Sequence, residues 1–181
     1  MRYISLFAGI GGFELAISRV FPEAQCIGYC EIDRKCRLIY QKHFPHHPLI
    51  SSDIATIDFS KFAEAKGELV VAGFPCQDLS RINRKGKGLQ GPKSSLFHHV
   101  RRCLKETQSK YFLIENVASM KKTDRKQISD GLGVQPIELD ASCFTAQRRK
   151  RLFWTNLPLS AKDCFGHPFE ENLCLLRKTI R

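Results

Sequence analysis

A chain of 181 residues has the length of one domain, and its 43% apolar and 26% charged residues exclude the polar, charge-rich composition of a disordered protein. Twenty-nine lysines and arginines against 18 acidic residues give a formal charge of +11, which favours polyanionic partners, with nucleic acid the leading candidate. No apolar run approaches the roughly 18–20 residues of a bilayer-crossing helix, so the expectation is a soluble, intracellular protein with no membrane partner, cytoplasmic or nuclear according to host.

The first apolar run, Tyr3 to Phe7, has the length of a buried strand. It follows Arg2 and superficially resembles a signal peptide, but Gly9, Gly11, Gly12 and Glu14 interrupt it and no cleavage site follows. From Phe13 to Val20 the apolar residues fall at Phe13, Ala16, Ile17 and Val20, one face of a helix that Pro22 ends. A second strand is predicted over Cys26 to Cys30 and a second helix over Arg34 to Phe44. Strands at Leu69 to Gly73 and Tyr111 to Ile114 bracket a helix over Ser95 to Thr107. A last helix over Asp124 to Leu132 stops at Gly133, before strands at Pro136 to Leu139 and Leu152 to Thr155. This alternation predicts an α/β sheet.

Three stretches between these elements carry chemistry. Phe7-Ala8-Gly9-Ile10-Gly11-Gly12 joins a strand to a helix, where glycine lets the backbone turn tightly and approach a ligand. The residue three after Gly11 is Glu14, not glycine, which departs from the dinucleotide pattern G-x-G-x-x-G. Nineteen residues beyond Gly12, Glu31 ends the second strand at close to the spacing from which an acidic side chain reaches ribose hydroxyls. Together they point to an adenosine-containing cofactor.

Cys76, in Gly73-Phe74-Pro75-Cys76-Gln77-Asp78-Leu79-Ser80, lies just past the carboxyl end of a buried strand, where such sheets keep their crevice. The eight cysteines include no C-x-x-C pair and match neither a zinc site nor a disulfide framework, so no metal is expected and most are read as buried, reduced thiols. Between Asp78 and Glu106 no acidic residue occurs, while Arg81, Arg84, Lys85, Lys87, Lys93, Arg101, Arg102 and Lys105 do. The glycine-rich part of that stretch, from Ile82 to Ser95, reads as a long basic loop suited to phosphates.

FAGIGG, GFPCQDLS, Glu115-Asn116-Val117 and Gln147-Arg148-Arg149-Lys150-Arg151 occur in this order, and the chain here resembles the cytosine C5-specific DNA methyltransferase family. The likeness covers roughly residues 3–158, and within it the segment from Lys87 to Pro158 looks most like the de novo animal branch. It implies a Rossmann-like, S-adenosylmethionine-dependent methyltransferase fold with a mostly parallel sheet flanked by helices, and transfer of a methyl group to carbon 5 of cytosine in double-stranded DNA.

Within that resemblance Cys76 is the nucleophile, Glu115 serves the ring nitrogen at position 3, and Arg149 and Arg151 hold the base and favour the thiolate. Phe7, Gly9 and Gly11 line the cofactor, Glu31 meets its ribose, Ile32 and Ile54 the adenine faces and Asp53 the exocyclic amine, with Gly73, Pro75 and Leu96 nearby. Ser80, Arg81, Arg84, Lys85, Lys87 and Gln147 meet the nucleic acid, whose target cytosine leaves the stack.

Residues 1–158 form the catalytic domain in this reading and 159–181 a short tail. Thirty residues follow Arg151, none resembling the family's target-recognition region or final motifs. A fragment, a subunit completed by a second chain, or a degenerate relative are each compatible with that. Methylation of cytosine in transfer RNA, or nucleic-acid binding without turnover, are the alternative functions.

Overall fold

The structure is a computed structural model and describes residues 1–63, 68–81, 83, 85–143 and 145–158. Arg84 and the tail 159–181 lie outside the described residues. Seven strands form one sheet: β1 (Arg2–Leu6), β2 (Gln25–Cys30), β3 (Leu49–Ser51), β4 (Leu69–Ala72), β5 (Tyr111–Val117), β6 (Ile137–Asp140) and β7 (Lys150–Thr155). Their order is β3-β2-β1-β4-β5-β7-β6. Every pairing is parallel except β5 with β7 and β6 with β7.

Four α-helices connect the strands: α1 (Gly12–Val20), α2 (Arg34–His43), α3 (Phe97–Thr107) and α4 (Lys122–Leu132). Crossovers between parallel strands are right-handed, so β1-α1-β2-α2-β3 places both helices on one face while β4-α3-β5 runs the other way and places α3 opposite. The core divides accordingly. Ile17 and Tyr40, from α1 and α2, pack with Tyr3, Tyr29 and Val71 on one side. Phe97, Val100, Cys103 and Ile128, from α3 and α4, pack with Ile4, Val70, Ile114 and Trp154 on the other. The fully buried Trp154 donates its indole N–H to Ser129 on α4 (2.9 Å), which satisfies the polar edge of the largest core residue.

The helix ends follow local chemistry. Asp33 caps α2 by accepting the N–H groups of Lys35 (2.7 Å) and Cys36 (3.0 Å). Gly133 ends α4 at φ 72° with its N–H on the Ser129 carbonyl. β3 is not among the predicted strands: at three residues it is too short to show alternation, and pairing with Tyr29 and Cys30 makes it a strand. β5 runs three residues past its predicted end at Ile114, so Glu115, Asn116 and Val117 belong to the strand. Chain order reverses between β1 and β4, and at such a switch point the carboxyl ends of the strands leave a crevice.

Candidate active site

The backbone at the end of β1 is bent to face that crevice. Phe7 (φ 56°), Gly9 (φ 58°) and Gly11 (φ 97°) are all left-handed, and Phe7 adopts this conformation despite its Cβ. Gly11 is also required by packing, since a Cβ there would lie 2.3 Å from the Phe44 ring. Glu31, at the end of β2, is 9% exposed. One carboxylate oxygen accepts the Gly9 N–H and the other the Asp33 N–H, both at 2.8 Å, so this side chain stitches the loop after β1 to the start of α2. Two N–H donors leave part of its acceptor capacity free. Beside it Ile32 is 73% exposed, an apolar side chain presented to the crevice without a protein cover.

Past β4 the chain turns through Gly73, Phe74 and Pro75 to Cys76, whose carbonyl accepts the N–H groups of Leu79 (3.0 Å) and Ser80 (2.9 Å). The half-buried Cys76 thiol is thereby held on a tight turn. From β5, the buried Asn116 donates its amide to the Phe74 carbonyl (3.0 Å) and accepts the Val117 N–H (2.8 Å), fixing the chain two residues before the thiol. Glu115, its neighbour in the strand, points to the opposite face.

In the antiparallel register Glu115 faces Phe153 and Val117 faces Arg151, so Glu115 and Arg151 are diagonal neighbours on one side of the ladder. The Arg151 Nε lies 2.5 Å from a Glu115 carboxylate oxygen. Burial pushes the Glu115 carboxyl above its ordinary range, and the Arg151 and Arg149 guanidinium groups oppose that shift. The other Glu115 oxygen lies 3.4 Å from where a Gly73 Cβ would be, an ordinary van der Waals distance.

These elements close around a cavity of about 270 Å³. Phe7, Glu31, Ile32, Gly73, Pro75, Cys76, Glu115, Arg149 and Arg151 all line it. Gly9 and Gly11 sit in the adjoining loop. Asp53 caps a short 3₁₀ turn through the Ala55 N–H, Ile54 is buried in the core, and Leu96 packs against the core at the start of α3; none of the three lines the cavity. Arg81, Lys85 and Lys87 are exposed on the loop after Ser80, and Gln147 is exposed before β7.

Sequence reasoning did not single out Phe74, Gln77 and Val117, which also line the cavity, or Asn116 behind it. Gln77 follows Cys76 directly, and that adjacency is the signal that could have found it.

A family model described as C-5 cytosine-specific DNA methylase matches residues 1–158. The chain belongs to this family. Type II methyltransferase M.BanI of Aneurinibacillus aneurinilyticus is 33% identical over 168 residues, covering 84% of this chain and 37% of that relative. Type II methyltransferase M.Sau3AI of Staphylococcus aureus is 30% identical over 174 residues, covering 84% of this chain and 42% of that one. The chain therefore spans well under half the length of these relatives. The solved structure of a methyltransferase from Entamoeba histolytica superposes with a TM-score of 0.71 at 22% identity, over 93% of this chain and 56% of that one, which shows the Rossmann-like methyltransferase fold.

Proposed function

We propose that residues 1–158 form the catalytic unit of an enzyme that transfers a methyl group from S-adenosylmethionine to carbon 5 of cytosine in double-stranded DNA, through a covalent bond to Cys76. The observation that carries this reading is the convergence of the Cys76 thiol, the Glu115 carboxyl and the Arg149 and Arg151 guanidinium groups on one cavity that Phe7, Glu31 and Ile32 also line.

Carbon 5 of cytosine is a weak nucleophile until a group adds at carbon 6. In the proposed mechanism the Cys76 thiolate forms a bond to carbon 6 while the ring nitrogen at position 3 takes a proton from Glu115, which leaves an enamine with electron density at carbon 5. Burial, which keeps Glu115 protonated to higher pH than a free carboxyl, suits this task. Arg151 limits the shift and places two guanidinium donors beside the base pocket with Arg149. After methylation the carbon 5 proton passes to water, the ring nitrogen returns its proton to Glu115, and the bond between carbon 6 and the Cys76 sulfur breaks, which regenerates the thiolate.

The cofactor supplies an electrophilic methyl group. Three features support its binding here: the free acceptor capacity of Glu31 suits ribose hydroxyls, the exposed Ile32 suits one face of a base, and Gly9 and Gly11 bring backbone without side chains to the loop beside the cavity. In this reading Asp53 and Ile54 reach the adenine only if the cofactor extends beyond the cavity. The cytosine leaves the duplex to enter the pocket, and Ser80, Arg81, Arg84, Lys85, Lys87 and Gln147 meet the DNA. Target recognition and the remaining cofactor contacts come from a further segment, continuous with this chain or on a second chain, since the two relatives carry more than half their length outside the matched part.

The test is transfer of labelled methyl from S-adenosylmethionine to unmethylated duplexes of varied sequence and, in parallel, to transfer RNA. Label at carbon 5 of DNA cytosine is the expected result. Label in RNA alone would overturn the assignment of substrate.

A further inference from the structure

Resting on that reading, we infer that Asp78 and Ser94 are positioning residues for the nucleophile, a clamp that fastens the far end of the basic loop to the two sides of Cys76. Ser94 is fully buried. Its hydroxyl donates to the carbonyl of Pro75, the residue before Cys76, at 3.2 Å. Its N–H donates to the Asp78 carboxylate, two residues after Cys76, at 3.2 Å, and the same oxygen accepts the Lys93 N–H at 3.0 Å. The Asp78 carbonyl accepts the Gly88 N–H at 3.0 Å. Gly91 is packed so closely on the Asp78 carboxylate that a Cβ would meet it at 2.2 Å.

The turn bearing Cys76 is also held by its own two internal bonds, by the Asn116 contact at Phe74 and by the Asn83 amide, which donates to the Gln77 carbonyl at 2.8 Å. The clamp therefore links two functions. The segment that carries the phosphate-binding cations cannot shift at its Lys93–Ser94 end without pulling on the peptide groups around the thiol. Charge-assisted hydrogen bonds are the stronger ones, and two on one carboxylate oxygen fix the orientation of the Asp78 side chain.

The experiment uses Ser94→Ala, Asp78→Asn and Asp78→Ala with the double variant Asp78→Asn/Ser94→Ala. Backbone hydrogen exchange is measured in the peptide 74–80, and the rate of covalent adduct formation is measured with a 5-fluorocytosine duplex and S-adenosylmethionine. Ser94→Ala is expected to raise exchange locally at the Leu79 and Ser80 amides and to slow adduct formation about tenfold, the loss of roughly one buried hydrogen bond. Cofactor affinity should stay at the wild-type value. Asp78→Asn, which keeps a carbonyl acceptor, should lose less than Asp78→Ala, and the double variant should lose less than the product of the single effects.

Unchanged exchange at 74–80 in Ser94→Ala overturns the clamp, as do multiplicative effects in the double variant. If the wild-type protein, supplied with the segment that completes target recognition, forms no adduct with DNA, the reading of its substrate fails while the exchange result still decides the clamp.

Discussion

Glu115 is the residue whose environment says most about its task. Burial raises its carboxyl pKa and Arg151 lowers it, so the two groups act on one titration in opposite senses. The fall in methylation rate caused by Glu115 deprotonation should then lie above the ordinary carboxylate range. Arg151→Ala should move it further upward, measured as a pH–rate profile. Glu115→Gln should lower the rate by about 10²–10⁴ and abolish that limb. A second buried carboxyl gives a stability prediction. Glu14 is 1% exposed, accepts the Tyr40 hydroxyl at 3.0 Å, and has its pKa raised chiefly by burial. A group whose folded pKa exceeds its unfolded value contributes most below the unfolded value, and that contribution is lost as pH rises through the folded one. Thermal unfolding of Glu14→Gln against wild type should therefore show a difference that grows in favour of glutamine from pH 4 to pH 8. A difference independent of pH would mean that the Glu14 carboxyl titrates alike in the folded and unfolded chain, and would contradict the upward shift.

At the scale of elements, the loop from β1 to α1 combines two requirements that the sequence displays as a single glycine pattern. Gly11 must be left-handed and must also lie on Phe44 from the end of α2. Gly11→Ala should thus cost about 1–3 kcal/mol from backbone strain alone, with a further loss from displacing the ring, measured by denaturant unfolding, and it should weaken cofactor binding. The pattern of glycines and the acidic residue after β2 were legible because turns and strand ends impose local rules. The second role of Gly11 was not, because Phe44 is far away in sequence. For the same reason the motif order pointed to Cys76, Glu115 and Arg151 as candidates but not to the ladder diagonal that brings Glu115 against Arg151. β3 escaped because three residues carry no period, and its existence depends on the neighbouring strand.

At the scale of the whole molecule, the alternation of strands and helices announced the α/β class, while strand order and the reversal of β7 depend on long-range pairing that no local pattern encodes. The net charge of +11 and the exposed cations Arg81, Lys85 and Lys87 predict strong salt dependence of DNA binding. Replacing Lys85 and Lys87 with alanine should weaken binding evenly across sequences and reduce the slope of log affinity against log salt by about two, roughly one per phosphate contact. Binding titrations at several ionic strengths check this, and an unchanged slope would place the DNA elsewhere.

The most direct measurement is trapping of the covalent intermediate. A duplex containing 5-fluorocytosine, incubated with the protein and S-adenosylmethionine, retains the bond to the enzyme because fluorine prevents the final elimination. The predicted result is a denaturation-resistant complex whose cross-linked peptide contains Cys76 and which Cys76→Ser cannot form. An adduct that persists in the folded Cys76→Ser protein, or no adduct in any sequence context when the folded wild-type protein is supplied with the segment that completes target recognition, would contradict the assignment of Cys76 as the nucleophile of a DNA cytosine methyltransferase.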